Sequence, residues 1–262
     1  MLKSWRRAVL VAVLLQSATA AQAETVTVAV ASNFSVPLAA LAIDFERETG
    51  HELRVVTGST GRLYAHIVNG APFDVFLSAD AERPARLEAE SRIVPNSRFT
   101  YAEGILVLWS ADPDIDDCLH ALRDLGTRRL AIAKPRLAPY GRAARAYLET
   151  RELWDAVQQA LVTGENVAQA AQFVATRNAA LGFVAKSQFN TGLGHPACSY
   201  EVPPDLHPPI EQQAVRLRRS DGNNAATAFL DYLKSAAVQR RLVTFGYRSI
   251  DDTVDDPMDS RQ

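Results

Sequence analysis

Two kinds of apolar pattern alternate along the chain. Thr25-Val26-Thr27-Val28-Ala29-Val30-Ala31 alternates valine with threonine or alanine, the period of a strand. Ser32-Asn33-Phe34-Ser35 then opens a helix that runs to Thr49 and stops at Gly50. Glu52-Leu53-Arg54-Val55-Val56 is a second strand. It ends in the turn Gly58-Ser59-Thr60-Gly61, and a helix follows with Leu63, Ile67 and Val68 on one face, closing near Asn69-Gly70. Phe73 to Asp80 is a short, mostly apolar strand of the kind found inside parallel sheets, and residues 81–89 are helical.

The same alternation continues. Arg98 to Gly104 leads straight into a strand at Ile105-Leu106-Val107-Leu108-Trp109, then a short helix spans 119–124. A strand at 129–133 runs into the turn Ala138-Pro139-Tyr140-Gly141, which opens a helix over 142–150. Leu161 to Asn166 leads to a helix over 167–176, and Leu181 to Ala185 is a strand. The Pro-rich stretch 203–209 is a connector. A strand at 213–217 and helices over 223–235 and 236–245 close the chain, and the acidic tail 251–262 is expected to be disordered. Strands alternating with helices predict an α/β fold with largely parallel sheets.

Residues 1–23 do not belong to that pattern. Lys3, Arg6 and Arg7 precede the apolar run Ala8 to Leu15, and Ala21-Gln22-Ala23 is a cleavage signal, so the segment is read as a secretory leader of the bacterial periplasmic type. Its removal lowers Lys+Arg from 28 to 25 against 30 acidic residues, giving a net charge of about −5. An acidic exported protein is a poor partner for nucleic acid or an anionic membrane. Cys118 and Cys198 would form a disulfide in an oxidising compartment, with two separate thiols as the alternative.

The candidate chemistry lies in the turns. A helix start leaves backbone N–H groups unpaired, and Ser32, Ser59 and Thr60 add hydroxyls, a combination that favours an oxyanion. Ordinary helix capping by the two serines is the alternative. Ala138-Pro139-Tyr140-Gly141 and Glu165-Asn166-Val167 offer two more such junctions, so four junctions from two blocks suggest one cleft between two domains. Arg62 and Arg142, one turn into their helices, are either electrostatic support or ligands, or else solvated helix faces. His51, His66, His120, His195 and His207 show no pairing with an acid, and Ser59 lacks the G-x-S-x-G setting of a hydrolase nucleophile.

Val30-Ala31-Ser32-Asn33-Phe34, Gly58-Ser59-Thr60-Gly61, Phe73 to Asp80, Ala138-Pro139-Tyr140-Gly141, Gly164-Glu165-Asn166-Val167 and Leu181 to Ala185 occur in this order. Together they resemble the periplasmic molybdate-binding proteins of ABC transporters. The resemblance implies a two-lobed class II periplasmic binding protein, each lobe a mostly parallel sheet flanked by helices. Lobe I would comprise residues 24–103 and 207–262 and lobe II residues 104–206, with crossings near Glu103-Gly104 and 204–210. It implies a monomer without cofactor, not an enzyme, that hands its anion to a membrane permease. It also implies a ligand set of Ser32, Asn33, Ser59, Ala138, Tyr140 and Val167, with Val167 acting only through its N–H. Ser32, Ser59 and Val167 would hold molybdate oxygens, with no direct metal coordination. Ala185 stands where many relatives have a tyrosine donor, and Asn33 and Tyr140 are expected to replace it.

Molybdate at neutral pH is an unprotonated tetrahedral dianion that only accepts hydrogen bonds. A matching site needs donors and no carboxylate, so Asp80 and Glu165 are the acids to watch. Tungstate is nearly the same size and is expected to bind as well. Sulfate is the main rival, and a periplasmic hydrolase a more distant one.

Overall fold

The computed structural model describes residues 23–191 and 196–250. All of the leader but its last residue, His195 and the tail from Asp251 lie outside the described residues. The first run of elements is β1 (Thr25–Ala31), α1 (Ser35–Thr49), β2 (Glu52–Gly58), α2 (Thr60–Val68), β3 (Val75–Ser78), α3 (Glu82–Ala89) and β4 (Phe99–Gly104). The second is β5 (Leu106–Ser110), α4 (Cys118–Arg123), β6 (Leu130–Ala133), α5 (Pro139–Thr150), α6 (Trp154–Val157), β7 (Leu161–Gly164), α7 (Val167–Ala175), β8 (Leu181–Ala185) and β9 (Cys198–Glu201). The chain then returns through β10 (Glu211–Arg216), α8 (Asn224–Lys234), α9 (Ala236–Thr244) and β11 (Tyr247–Arg248).

Two sheets result, one ordered β11-β4-β10-β3-β1-β2 and the other β7-β6-β8-β5-β9. Each has a parallel centre, β2-β1-β3 in the first and β7-β6-β8 in the second. Each is extended by antiparallel strands: β10 against β3 and β4, β11 against β4, and β5 against β8 and β9. The sheets are therefore mixed where mostly parallel ones were expected. β4 ends at Gly104 in one sheet and β5 begins at Leu106 in the other, so Ile105 alone separates them. Strands β7, β9 and β11 and helix α6 are short elements that the periodicity did not single out.

Both faces of each sheet are covered. On one face of the first, Val26, Val28 and Val30 meet Leu38, Leu41 and Phe45, the inward face of α1. On the other, Ala29 and Phe76 meet Leu63 and Ile67 of α2. In the second sheet, Leu106, Leu108 and Ile132 pack on Tyr147 and Leu148 of α5, while Val107, Trp109 and Ala131 pack on Ala170, Ala171 and Val174 of α7. Each large apolar side chain buried in this way contributes about 1.5–3 kcal/mol. Gly50 ends α1 in the left-handed region, φ 73°, where a Cβ would be strained. A Cys118–Cys198 disulfide ties the start of α4 to the edge strand β9.

Candidate functional site

The register of the sheets brings the four turns together. Ala31 pairs with Gly58 at the ends of β1 and β2, and Ala133 pairs with Gly164 at the ends of β6 and β7. Four chain segments thus leave their strands at carboxyl ends, the usual position of a ligand crevice in an α/β sheet. They meet around a small cavity lined from one lobe by Ser32, Asn33, Ser59 and Thr60 and from the other by Ala138, Tyr140, Asn166 and Val167. All six residues proposed from the sequence face this one cavity, and no lining residue among those described is an acid or a base.

Neither serine is used as a cap. Ser59 occupies the N-cap position of α2, yet its side chain makes no capping bond. Its hydroxyl is buried and has no hydrogen-bond partner among the described residues. Ser32 lies within a 3₁₀ turn, Ser32–Phe34, that precedes α1. Its Oγ accepts a long bond (3.4 Å) from the N–H of Ala168 across the cleft, which leaves its own proton to donate. Val167 is the first residue of α7, so its N–H has no partner within the helix. Asn166 caps that helix by accepting from the N–H of Gln169.

Two of the expected donors are committed elsewhere. The N–H of Ala138 donates to the Lys134 carbonyl at 2.9 Å, so Ala138 can only form a wall. The side-chain amide of Asn33 donates to Gln212 Oε1 (2.7 Å) and to the Tyr247 hydroxyl (3.0 Å), and the Asn33 carbonyl accepts from Ser187 and Tyr247. Asn33 therefore braces the turn with its side-chain amide and is not available to donate through it. Gln212, Ser187 and Tyr247 are separated from it by more than 150 residues in sequence. Nothing local in the chain announces them. Thr60, whose hydroxyl was expected to donate beside that of Ser59, lines the cavity, but its Oγ1 accepts from the N–H of Ala79 and fixes the start of α2 against the end of β3.

Tyr140, in the first turn of α5, has a free first-turn N–H by position. Its ring crosses to the other lobe, where a Cβ on Gly104 would stand 2.2 Å from the hydroxyl. Burial, with Tyr247 and Tyr101 nearby, holds this hydroxyl well above the ordinary tyrosine range, so it remains an O–H donor at neutral pH. Gly104→Ala is expected to displace the ring and to cost about 1–3 kcal/mol of stability together with a loss of oxyanion affinity. Thermal unfolding and calorimetric titration of the variant check this; unchanged affinity would remove Tyr140 from the site.

The acids nearest the cavity are neutralised. Asp80, buried, is held by Arg83 of the adjoining α3 and by Arg142 Nη2 of α5 at 3.1 Å across the cleft. Arg142 also pairs with Glu82 at 2.9 Å, and Gly61 donates to the Leu137 carbonyl at 2.8 Å. Arg142 is thus an interlobe ion pair, neither an anion ligand nor a solvated face. Glu165 is exposed and pairs with Lys134 at 3.4 Å. Among the described residues no cluster of His, Cys, Asp or Glu could hold a metal ion.

Two α/β lobes closed over a small, donor-lined cavity at their strand ends define a solute-binding protein. The chain belongs to the bacterial extracellular solute-binding protein family, matching it over residues 26–248. It is 47% identical over 232 residues to the molybdate-binding protein ModA of Azotobacter vinelandii, covering 88% of this chain and 92% of that one. It is 43% identical over 227 residues to ModA of Rhodobacter capsulatus, covering 87% and 89%. The solved Azotobacter vinelandii periplasmic molybdate-binding protein superposes with a TM-score of 0.80 at 38% identity, over 85% of this chain and 98% of that one. The sulfate-binding protein SubI of Mycobacterium tuberculosis shares the fold (TM-score 0.68, 87% and 88% covered) at only 14% identity, so fold alone does not choose the anion.

Proposed function

We propose that this protein captures molybdate, and tungstate with it, outside the cytoplasmic membrane and delivers it to the permease of an ABC importer. The observation that carries this is the Ser59 hydroxyl: buried, unpaired, and lining a small cavity that holds no carboxylate. A buried polar group left unpaired costs stability, so its retention is accounted for by a ligand that pairs it. An anion without a proton fits such a cavity, whereas a protonated phosphate would want an acceptor. The proposed donors are the hydroxyls of Ser32 and Ser59, the N–H groups of Asn33, Tyr140 and Val167, and the Tyr140 hydroxyl, with Ala138 as wall. At about 1.5–3 kcal/mol per charge-assisted bond, such a set supports sub-micromolar affinity after the cost of association.

The donors come from both lobes, so one small anion meets all of them only when the cleft is shut. Lobes of residues 24–103 with 207–262 and of residues 104–206 would move about the crossings near Gly104 and 204–210. Closure is then favoured by the difference in affinity between the two states. The closed face would be what the permease reads, and the protein would work as a periplasmic monomer without a cofactor.

At a ligand concentration about a thousand times the dissociation constant, molybdate and tungstate are expected to stabilise the protein by about 4 kcal/mol, a rise of roughly 10 °C in melting temperature. Sulfate and phosphate at the same concentration should move it by no more than a degree or two. Equal shifts with sulfate would reassign the ligand.

A further inference from the structure

Beside the small cavity lies a wider opening of about 330 Å³ that shares Gly58, Ser59 and Asn166 with it and adds Arg62, His66 and Glu165. Ser59 thus borders both the small cavity and this opening to the surface. Arg62 follows Ser59 by three residues in the first turn of α2, and that spacing puts the two on one side of the helix. Because both belong to the same turn, Arg62 accompanies Ser59 whether the lobes are open or closed. The side chain is exposed and makes no ion pair or hydrogen bond among the described residues. That contrasts with Arg83 and Arg142, both committed to Asp80. The carboxylate across the opening, Glu165, is already compensated by Lys134. The rim therefore carries an uncompensated positive charge on a chain whose acidic residues outnumber its Lys and Arg, 30 to 28.

We infer that Arg62 is the entry cation of the site: it draws a tetrahedral dianion to the opening and passes it to the uncharged donors at Ser59, without being one of the ligands of the closed state. This rests on the oxyanion-binding reading above. A charge on the approach route raises the association rate and leaves dissociation nearly unchanged, and salt screens it. A residue bound to the anion in the closed cavity would instead slow dissociation, with little dependence on salt.

The test is calorimetric titration of molybdate into the wild-type protein and the Arg62→Gln and Arg62→Lys variants, in about 10 mM and about 500 mM sodium chloride, with stopped-flow association rates. At low salt Arg62→Gln is expected to bind roughly fivefold more weakly, the loss lying in the association rate, and to come within twofold of the wild type at high salt. Arg62→Lys keeps the charge and should stay within twofold throughout. An Arg62→Gln affinity equal to wild type at low salt would overturn the inference, as would a loss of the same size at both salt concentrations. Failure of the wild-type protein to bind molybdate at all would instead remove the oxyanion reading on which it rests.

Discussion

Ser59→Ala is expected to weaken molybdate binding by about 10- to 150-fold, the value of one charge-assisted hydrogen bond of about 1.5–3 kcal/mol. The same substitution should leave the unliganded protein within about 0.5 kcal/mol of the wild type. The two halves follow from one geometry. The Ser59 hydroxyl caps no helix and pairs with nothing among the described residues, so removing it breaks no bond of the free protein. In the complex it is a donor to the dianion, and its loss leaves one anionic oxygen unmet in a closed cavity. Calorimetric titration beside thermal unfolding of the free form separates the effects. A variant that loses stability without ligand and keeps its affinity would mark Ser59 as a structural residue.

The second large effect concerns the disulfide. Cys118 and Cys198 are 80 residues apart, and a cross-link closing so long a loop stabilises a fold by about 2–5 kcal/mol. The double variant Cys118→Ser/Cys198→Ser should unfold at correspondingly lower urea concentration. Neither cysteine lines the cavity, so its molybdate affinity below the unfolding transition should change by less than twofold. An unchanged urea midpoint, or labelling of free thiols in the native wild-type protein, would contradict the bridge.

What could be read from the chain was what is written locally. Alternation in β1, the helical spacing of Leu63 and Ile67, and small polar turns after strands are short-range signals, and they marked the four junctions; the family resemblance is what singled out Ser32, Ser59, Tyr140 and Val167 within them. The mixed character of the sheets was not legible, because strand direction depends on where the chain crosses between lobes. Asn33 and Ala138 are the instructive cases. Both face the cavity as expected, yet Gln212 and Tyr247 occupy the amide of the first and the Lys134 carbonyl occupies the N–H of the second. Residue type gives the number of donors, whereas only the fold tells which remain unspent. Arg142 makes the same point with charge, since its partner Asp80 lies 62 residues away across the cleft.

The most direct measurement is a crystal structure grown with molybdate, with anomalous diffraction recorded at the molybdenum edge. A single strong peak in the cavity between the lobes, its oxygens within hydrogen-bonding distance of Ser59 Oγ and the Val167 N–H, is the expected result. A peak coordinated by carboxylates, or seated only on surface arginines with the cavity empty, would contradict the idea that uncharged donors from two lobes hold the dianion.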